Sequence, residues 1–233
     1  MLVRCVGIAA AITAVAHCPG AHAARPFVTD DARIVDAGGC QIETFVKRQQ
    51  KQPEEEYWFL PGCTPRGPVE LTLGALKIDN ADAGTSSAAI AQAKTLLREL
   101  RTNDFGLALT LGAARINTVD PALAPGWSPF FNAIASVSLL DDRAIIHANL
   151  GAIRDRVVSR TRGTWGLGAE IPIGGQLYGI VETYGQEADR PSRQIGLRYW
   201  VLPNRLQVDG TLGYQSGEPQ SRTWTSLGIR ALF

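Results

Sequence analysis

The sequence has no apolar run near the roughly 18 residues that a membrane-crossing helix requires, and its longest lies at the very start, within MLVRCVGIAAAITAVAHCPGAHAARP. It is short of charge imbalance too: the net charge of +1 gives no clustered basic surface of the kind nucleic acid demands. Histidine is scarce, at three residues, two of which (His17 and His22) fall in that opening stretch. That leaves His147 alone and argues against any His-based metal site. Cysteine is limited to four. No helical periodicity persists over any long segment.

The opening stretch has the layout of a secretory signal. Arg4 precedes an apolar stretch from Val6 to Ala16, then come Pro19-Gly20 and the small-residue triplet Ala21-His22-Ala23. We therefore expect cleavage after Ala23, with residues 1–23 a signal peptide. His17 before Cys18 disfavours a lipoprotein signal, where a small residue belongs. Cys5 and Cys18 leave with the signal, and Cys40 and Cys63 remain as one pair in an oxidising compartment. Their bridge closes a loop worth roughly 3 kcal/mol on the chain-entropy argument.

What the chain does contain is period-two alternation. FGLALTLGA at 105–113, NAIASVSL at 132–139, TWGLGAEI at 164–171, QIGLRYWV at 194–201 and LQVDGTLGY at 206–214 are the clearest cases. With weaker segments they give about twelve strands spread from residue 40 to the end. AAIAQAKTLLREL (88–100), which carries the fourth segment near 87–98, fits an amphipathic helix when taken alone; its even spacing with its neighbours decides for a strand. Short turns at 140–143, 172–175 and 202–205 alternate with polar stretches at 79–87, 117–128, 154–163, 186–191 and 216–222, read as longer loops. Short periplasmic turns and longer outer loops mark transmembrane barrels, and an even strand count puts both ends of the barrel on the periplasmic side. The architecture expected is an all-β, antiparallel up-and-down transmembrane barrel over residues 40–233, with a periplasmic leader at 24–39. Cys40 and Cys63 agree with it: the midpoint between them falls between Lys51 and Gln52, so they face each other across a first hairpin.

The leader RPFVTDDARIVDAGGCQIETF resembles the start of outer-membrane proteins of the meta-pathway phenol-degradation family, through Arg25, Pro26, Thr29, Asp30 and Asp31 and the strand opening Gln41-Ile42-Glu43. The end of the chain resembles the signal read by the barrel-assembly machinery, in Ser226, Gly228, Ala231 and Phe233, with Ala231 smaller than usual. The resemblance implies an outer-membrane barrel of the cell envelope that passes small, possibly aromatic compounds. It also implies lipid, lipopolysaccharide and the assembly machinery as partners, and no cofactor.

Alternation assigns Glu43, Lys94, His147, Glu182, Arg198 and Asp209 to the lumen, together with Arg98 and with Lys47, Glu70, Asn149, Glu170, Tyr178, Tyr184 and Arg230. We expect Arg98 and Arg198 to oppose Glu182 and Asp209 at a constriction on a solute path. The alternative is a lumen closed by ion pairs, a structural barrel, since charges away from water need partners. Ser136, Ser138, His147 and Asn149 raise a hydrolase reading, but they face the lumen rather than lipid and lack a Gly-x-Ser-x-Gly turn. Thr29, Asp30, Asp31 and Asp36 raise two readings, a weak divalent-cation signal and a plug of the lumen from below; capping of the barrel mouth by the leader is the expectation. Arg154, Arg156, Arg160 and Arg162 form a basic loop suited to lipopolysaccharide phosphates.

Overall fold

The structure is a computed structural model, and it describes residues 27–50, 54–81, 84–117, 126–155, 159–217 and 222–233. The expected signal peptide with its expected cleavage point after Ala23, Arg25, Pro26 and Arg156 lie outside the described residues.

Twelve strands form one closed antiparallel barrel: β1 Cys40–Gln49, β2 Glu54–Cys63, β3 Val69–Asn80, β4 Gly84–Arg98, β5 Phe105–Asn117 and β6 Trp127–Leu139 make one half. The other half is β7 Ala144–Asp155, β8 Arg160–Gly174, β9 Leu177–Gln186, β10 Ser192–Leu202, β11 Leu206–Gln215 and β12 Arg222–Leu232. Each strand pairs with its sequence neighbours, and β12 returns to β1 with Leu232 opposite Gln41 and Ile229 opposite Thr44. Closure removes every open sheet edge, the condition for backbone to cross lipid.

The two faces are inverted relative to a water-soluble protein. Leu73, Leu150 and Leu227 are each about two-thirds exposed or more, whereas the largest fully buried side chains are Arg198, Arg230, His147 and Gln207. In water this arrangement would leave the apolar area unrewarded, at roughly 25 cal/mol per Å². In a bilayer the same alternation buries the outward leucines in lipid and keeps charges away from it. The only apolar cluster inside the described barrel is Ala32, Ala108 and Ile134, with Leu96 packed against it.

Cys40 and Cys63 are directly paired across β1 and β2 and joined by a disulfide. The same end of the barrel holds the last backbone pair, in which Cys40 N donates to Phe233 O and Phe233 N donates to Cys40 O. We call this the disulfide end and the opposite one the far end.

Loop asymmetry is weaker than the sequence predicts. β3 continues to Asn80, β4 starts at Gly84 and β8 starts at Arg160, so most of 79–87 and part of 154–163 are strand rather than loop. Ladder bonds are made by the backbone, and polar side chains such as Asp79 and Thr85 do not interrupt them: these two bond each other across the strands.

Candidate functional site

Arg98 corrects the lumen assignment. Between β4 and β5 the register slips, with Leu96 opposite Ala108 but Arg98 opposite Leu107. This bulge inserts one residue, and a one-residue slip moves a side chain to the other face. Arg98 therefore points outward at the disulfide end. Its guanidinium lies 3.7 Å from the Phe105 ring centre and bonds Asp104 at 2.6 and 2.8 Å. With Arg98 outside, the expected constriction lacks one of its two cations. Arg198 does stand directly opposite Asp209 in the ladder, and it also forms an ion pair with Glu170.

The leader also departs from expectation. It does not cap the mouth; residues 27–39 run up inside the barrel from the disulfide end to mid-height. Polar side chains on the wall hold its backbone. Val35 N donates to Glu70 Oε2 at 2.9 Å, Ala32 N to Ser136 Oγ at 2.9 Å and Asp30 N to Asn149 Oδ1 at 2.7 Å. Asn149 Nδ2 donates back to Asp30 O at 2.8 Å, and Thr29 N donates to Glu182 Oε2 at 2.8 Å. Buried N–H groups need acceptors, and this segment finds them on the barrel rather than in a strand of its own. Lys94 Nζ lies 2.6 Å from Asp30 and 3.4 Å from Asp31, and Arg33 lies between Asp31 and Glu170 at 3.5 and 3.7 Å. The leader carboxylates, a weak cation signal in the sequence, take a lysine of the wall.

Room for the leader comes from glycines. A Cβ on Gly166 would lie 2.6 Å from Thr29 Oγ1, and one on Gly168 2.8 Å from Phe27 Cε1. Phe27 in turn meets the His147 ring edge-on, with centroids 5.3 Å apart. Alternation in TWGLGAEI puts both glycines on the face of Glu170, which the sequence assigns to the lumen, but does not disclose their role as a cradle. The available signal was two small residues in one strand, facing the same way as Glu170.

Around the circumference at this level the inward side chains are buried on nearly every strand: Gln41, Glu70, Lys94, Thr110, Ser136, His147, Glu170, Glu182, Arg198, Gln207 and Arg230. Asp31 and Ala32 in their midst have no exposed surface. The lower lumen is therefore packed. Ser136 Oγ and His147 Nδ1 are 2.8 Å apart, but Ser136 also accepts from the Ala32 amide and is sealed beneath the leader. Glu170 stands 4.0 Å from His147 Nε2. A nucleophile needs open space for its substrate, and this serine has none. Ser138 bonds Asp142 in the turn after β6.

Above the leader lies a cavity of about 560 Å³ that reaches Asp189, Ser192 and Gln215 at the far end and has Phe27, Val28, Thr29 and Asp30 at its base. Glu43, Lys94, Asn149, Trp165 and Tyr184 are among its walls. Glu43 pairs with Arg230 at 3.4 Å, and Arg230 Nε donates to Gln41 at 2.7 Å. Higher up, Lys47 bonds Glu56 at 2.8 Å and lies 5.2 Å from the Trp224 ring centre, while Phe45 stacks on Trp58.

Closed circumference, apolar exterior and charged interior define a twelve-stranded transmembrane β-barrel. Over residues 11–233 the chain matches the family described as Uncharacterised conserved protein UCP029691, and it belongs to that family. No curated protein matches it. Among solved structures it is similar to the NanC porin (7% identity, TM-score 0.60) and the KdgM porin (9% identity, TM-score 0.56), covering 82% of this chain and 98% of each porin. It is also similar to outer membrane phospholipase A from Escherichia coli (8% identity, TM-score 0.51), covering 82% of this chain and 92% of that one. At these identities the likeness is one of fold.

Proposed function

We propose that this barrel resides in the bacterial outer membrane with its disulfide end toward the periplasm. It takes small solutes into the cavity at its outer mouth and passes them when segment 27–39 shifts. One observation carries this reading: among the described residues, the only backbone inside the lumen is a segment held by side-chain bonds, not by strand pairing. A neutral bond of this kind contributes about 1 kcal/mol net and one to a carboxylate roughly 1.5–3, because water can replace either partner. A segment held this way can be released without opening the barrel. The porin fold of the NanC and KdgM structures supports passage. The leader's resemblance to the phenol-degradation family supports ring-bearing solutes. The outward apolar Leu227, Ile229 and Phe233 agree with an assembly signal at the end of β12.

A second reading, a closed structural barrel, is favoured by the buried ion pairs Lys94–Asp31 and Arg198–Glu170. Planar-bilayer conductance separates the two. The intact protein should conduct rarely, and a variant lacking residues 27–36 should conduct steadily. A silent deletion variant that is folded, as judged by heat-modifiable migration, would leave the structural reading.

A further inference from the structure

The cavity has a sign. In the ion pairs Lys94–Asp30 and Arg230–Glu43 the carboxylate faces the open space and the cation is sunk in the wall. The Asp30 side chain is 29% exposed and its partner Lys94 4%; Glu43 is 14% exposed and Arg230 0%. Asp189 adds a third carboxylate at the far rim, 3.6 Å from Arg162. Among the residues lining the cavity, the charged groups are the carboxylates of Asp30, Glu43, Glu70 and Asp189 and one ammonium, that of Lys94; the part-exposed Lys47 and Arg162 nearby are each tied to a carboxylate, Glu56 and Asp189. In a space narrowed by low-dielectric walls, the nearer and more exposed member of each pair dominates the local field and favours one sign of solute. Trp165 and Tyr184 supply ring faces in the same cavity, and rings attract cations through their quadrupole.

Resting on the cavity of the preceding reading, we infer that the site selects small amine-bearing organic cations and rejects organic anions. Asp30 and Glu43 present the charge, Trp165 and Tyr184 receive the apolar part of the solute, and Asp189 draws the cation to the rim. The buried Lys94 and Arg230 keep the two carboxylates in place without presenting their own charge.

The test is equilibrium binding by calorimetry to the full-length refolded protein in neutral detergent micelles, with empty micelles as the blank. The probes are phenethylamine, phenethyl alcohol and phenylacetate, which share a ring and differ in charge. Phenethylamine should bind tightest and phenylacetate weakest, about tenfold or more apart, the gap shrinking as salt screens the carboxylates. Glu43→Gln should lose most of the preference while still migrating as a folded barrel, and Asp189→Asn, at the exposed rim, should lose a smaller part. Equal or tighter binding of phenylacetate overturns the inference, as does an absence of binding by all three probes. Neither result bears on passage, which the conductance of the 27–36 deletion decides separately.

Discussion

Lys94 and Lys47 both point into the barrel and both lie within 2.8 Å of a carboxylate, yet their surroundings differ. The Lys94 side chain is 4% exposed, wedged against the leader; the Lys47 side chain is 26% exposed, above it, beside Glu56. Below the leader the lumen is packed and every charge depends on its partner. Above it the lumen is a wet cavity where water shares the load. One alternation pattern produces both regions, and the segment 27–39 decides which is which.

The sharpest way to break this division is to evict the leader. Gly166→Val puts a side chain where Thr29 Oγ1 now lies, 2.6 Å from the new Cβ. Valine is well suited to a strand, so β8 keeps its pairing with Asn149 and Tyr184. The expected outcome is steady conductance from a folded barrel and protease cleavage within 27–39. A folded variant that conducts no more than wild type would show that the leader is not a removable floor.

Next in size is the lysine contrast itself. Lys94→Met leaves the wholly buried Asp31 beside an uncharged wall. Breaking a buried pair costs about 3–5 kcal/mol, seen as a lower urea midpoint for the barrel in micelles. Lys47→Met in the wet half should cost about 0–1 kcal/mol. Equal losses would erase the distinction between the halves. Between these falls the disulfide. Cys40→Ser with Cys63→Ser should lower stability by roughly 3 kcal/mol through the opened loop. It should also loosen the leader's root, where Gly38 N donates to Thr64 O at 2.7 Å and Thr64 N to Gly39 O at 3.0 Å. Reduction of the wild type, followed by the same unfolding curve, checks the first part.

How much of this was legible beforehand follows from what alternation encodes. Strand number, closure of β12 on Gln41–Thr44, the Cys40–Cys63 pair and the inward placing of Glu182, Arg198 and Asp209 all depend on period two and on a common midpoint, which are local or pairwise properties. The leader's course was legible only as a lesser alternative, a plug from below set beneath capping of the mouth. Nothing in TDDARIV has a strand or helix period, and its partners Lys94, Ser136, Asn149 and Glu182 are scattered over four strands that only barrel closure brings around one axis. The weak hint was charge: Asp30 and Asp31 needed cations, and Lys94 was already placed in the lumen. The stretches 117–128, 186–191 and 216–222 do fall largely between strands, but 79–87 and 154–163 were overestimated as loop because their residues are polar, whereas a strand leaving the bilayer stays paired.

Arg98 shows where a single residue defeats the pattern, and it supplies the smallest effect. Strict alternation from Lys94 sends Arg98 inward; the extra residue Leu97 at the bulge sends it out. Outside, its guanidinium beside Asp104 holds that carboxyl below the usual carboxylate range. A depressed folded-state pKa means the pair contributes above the unfolded value of about 3.9 and fades as pH falls through the lower folded value. Arg98→Ala should therefore leave conductance and probe binding unchanged at neutral pH. Its unfolding midpoint should trail wild type slightly at neutral pH and converge with it in acid, because the pair is exposed and screened. A change in solute selectivity on losing Arg98 would return it to the lumen and contradict the bulge, while an unchanged selectivity together with acid convergence places its whole effect at the disulfide-end turn.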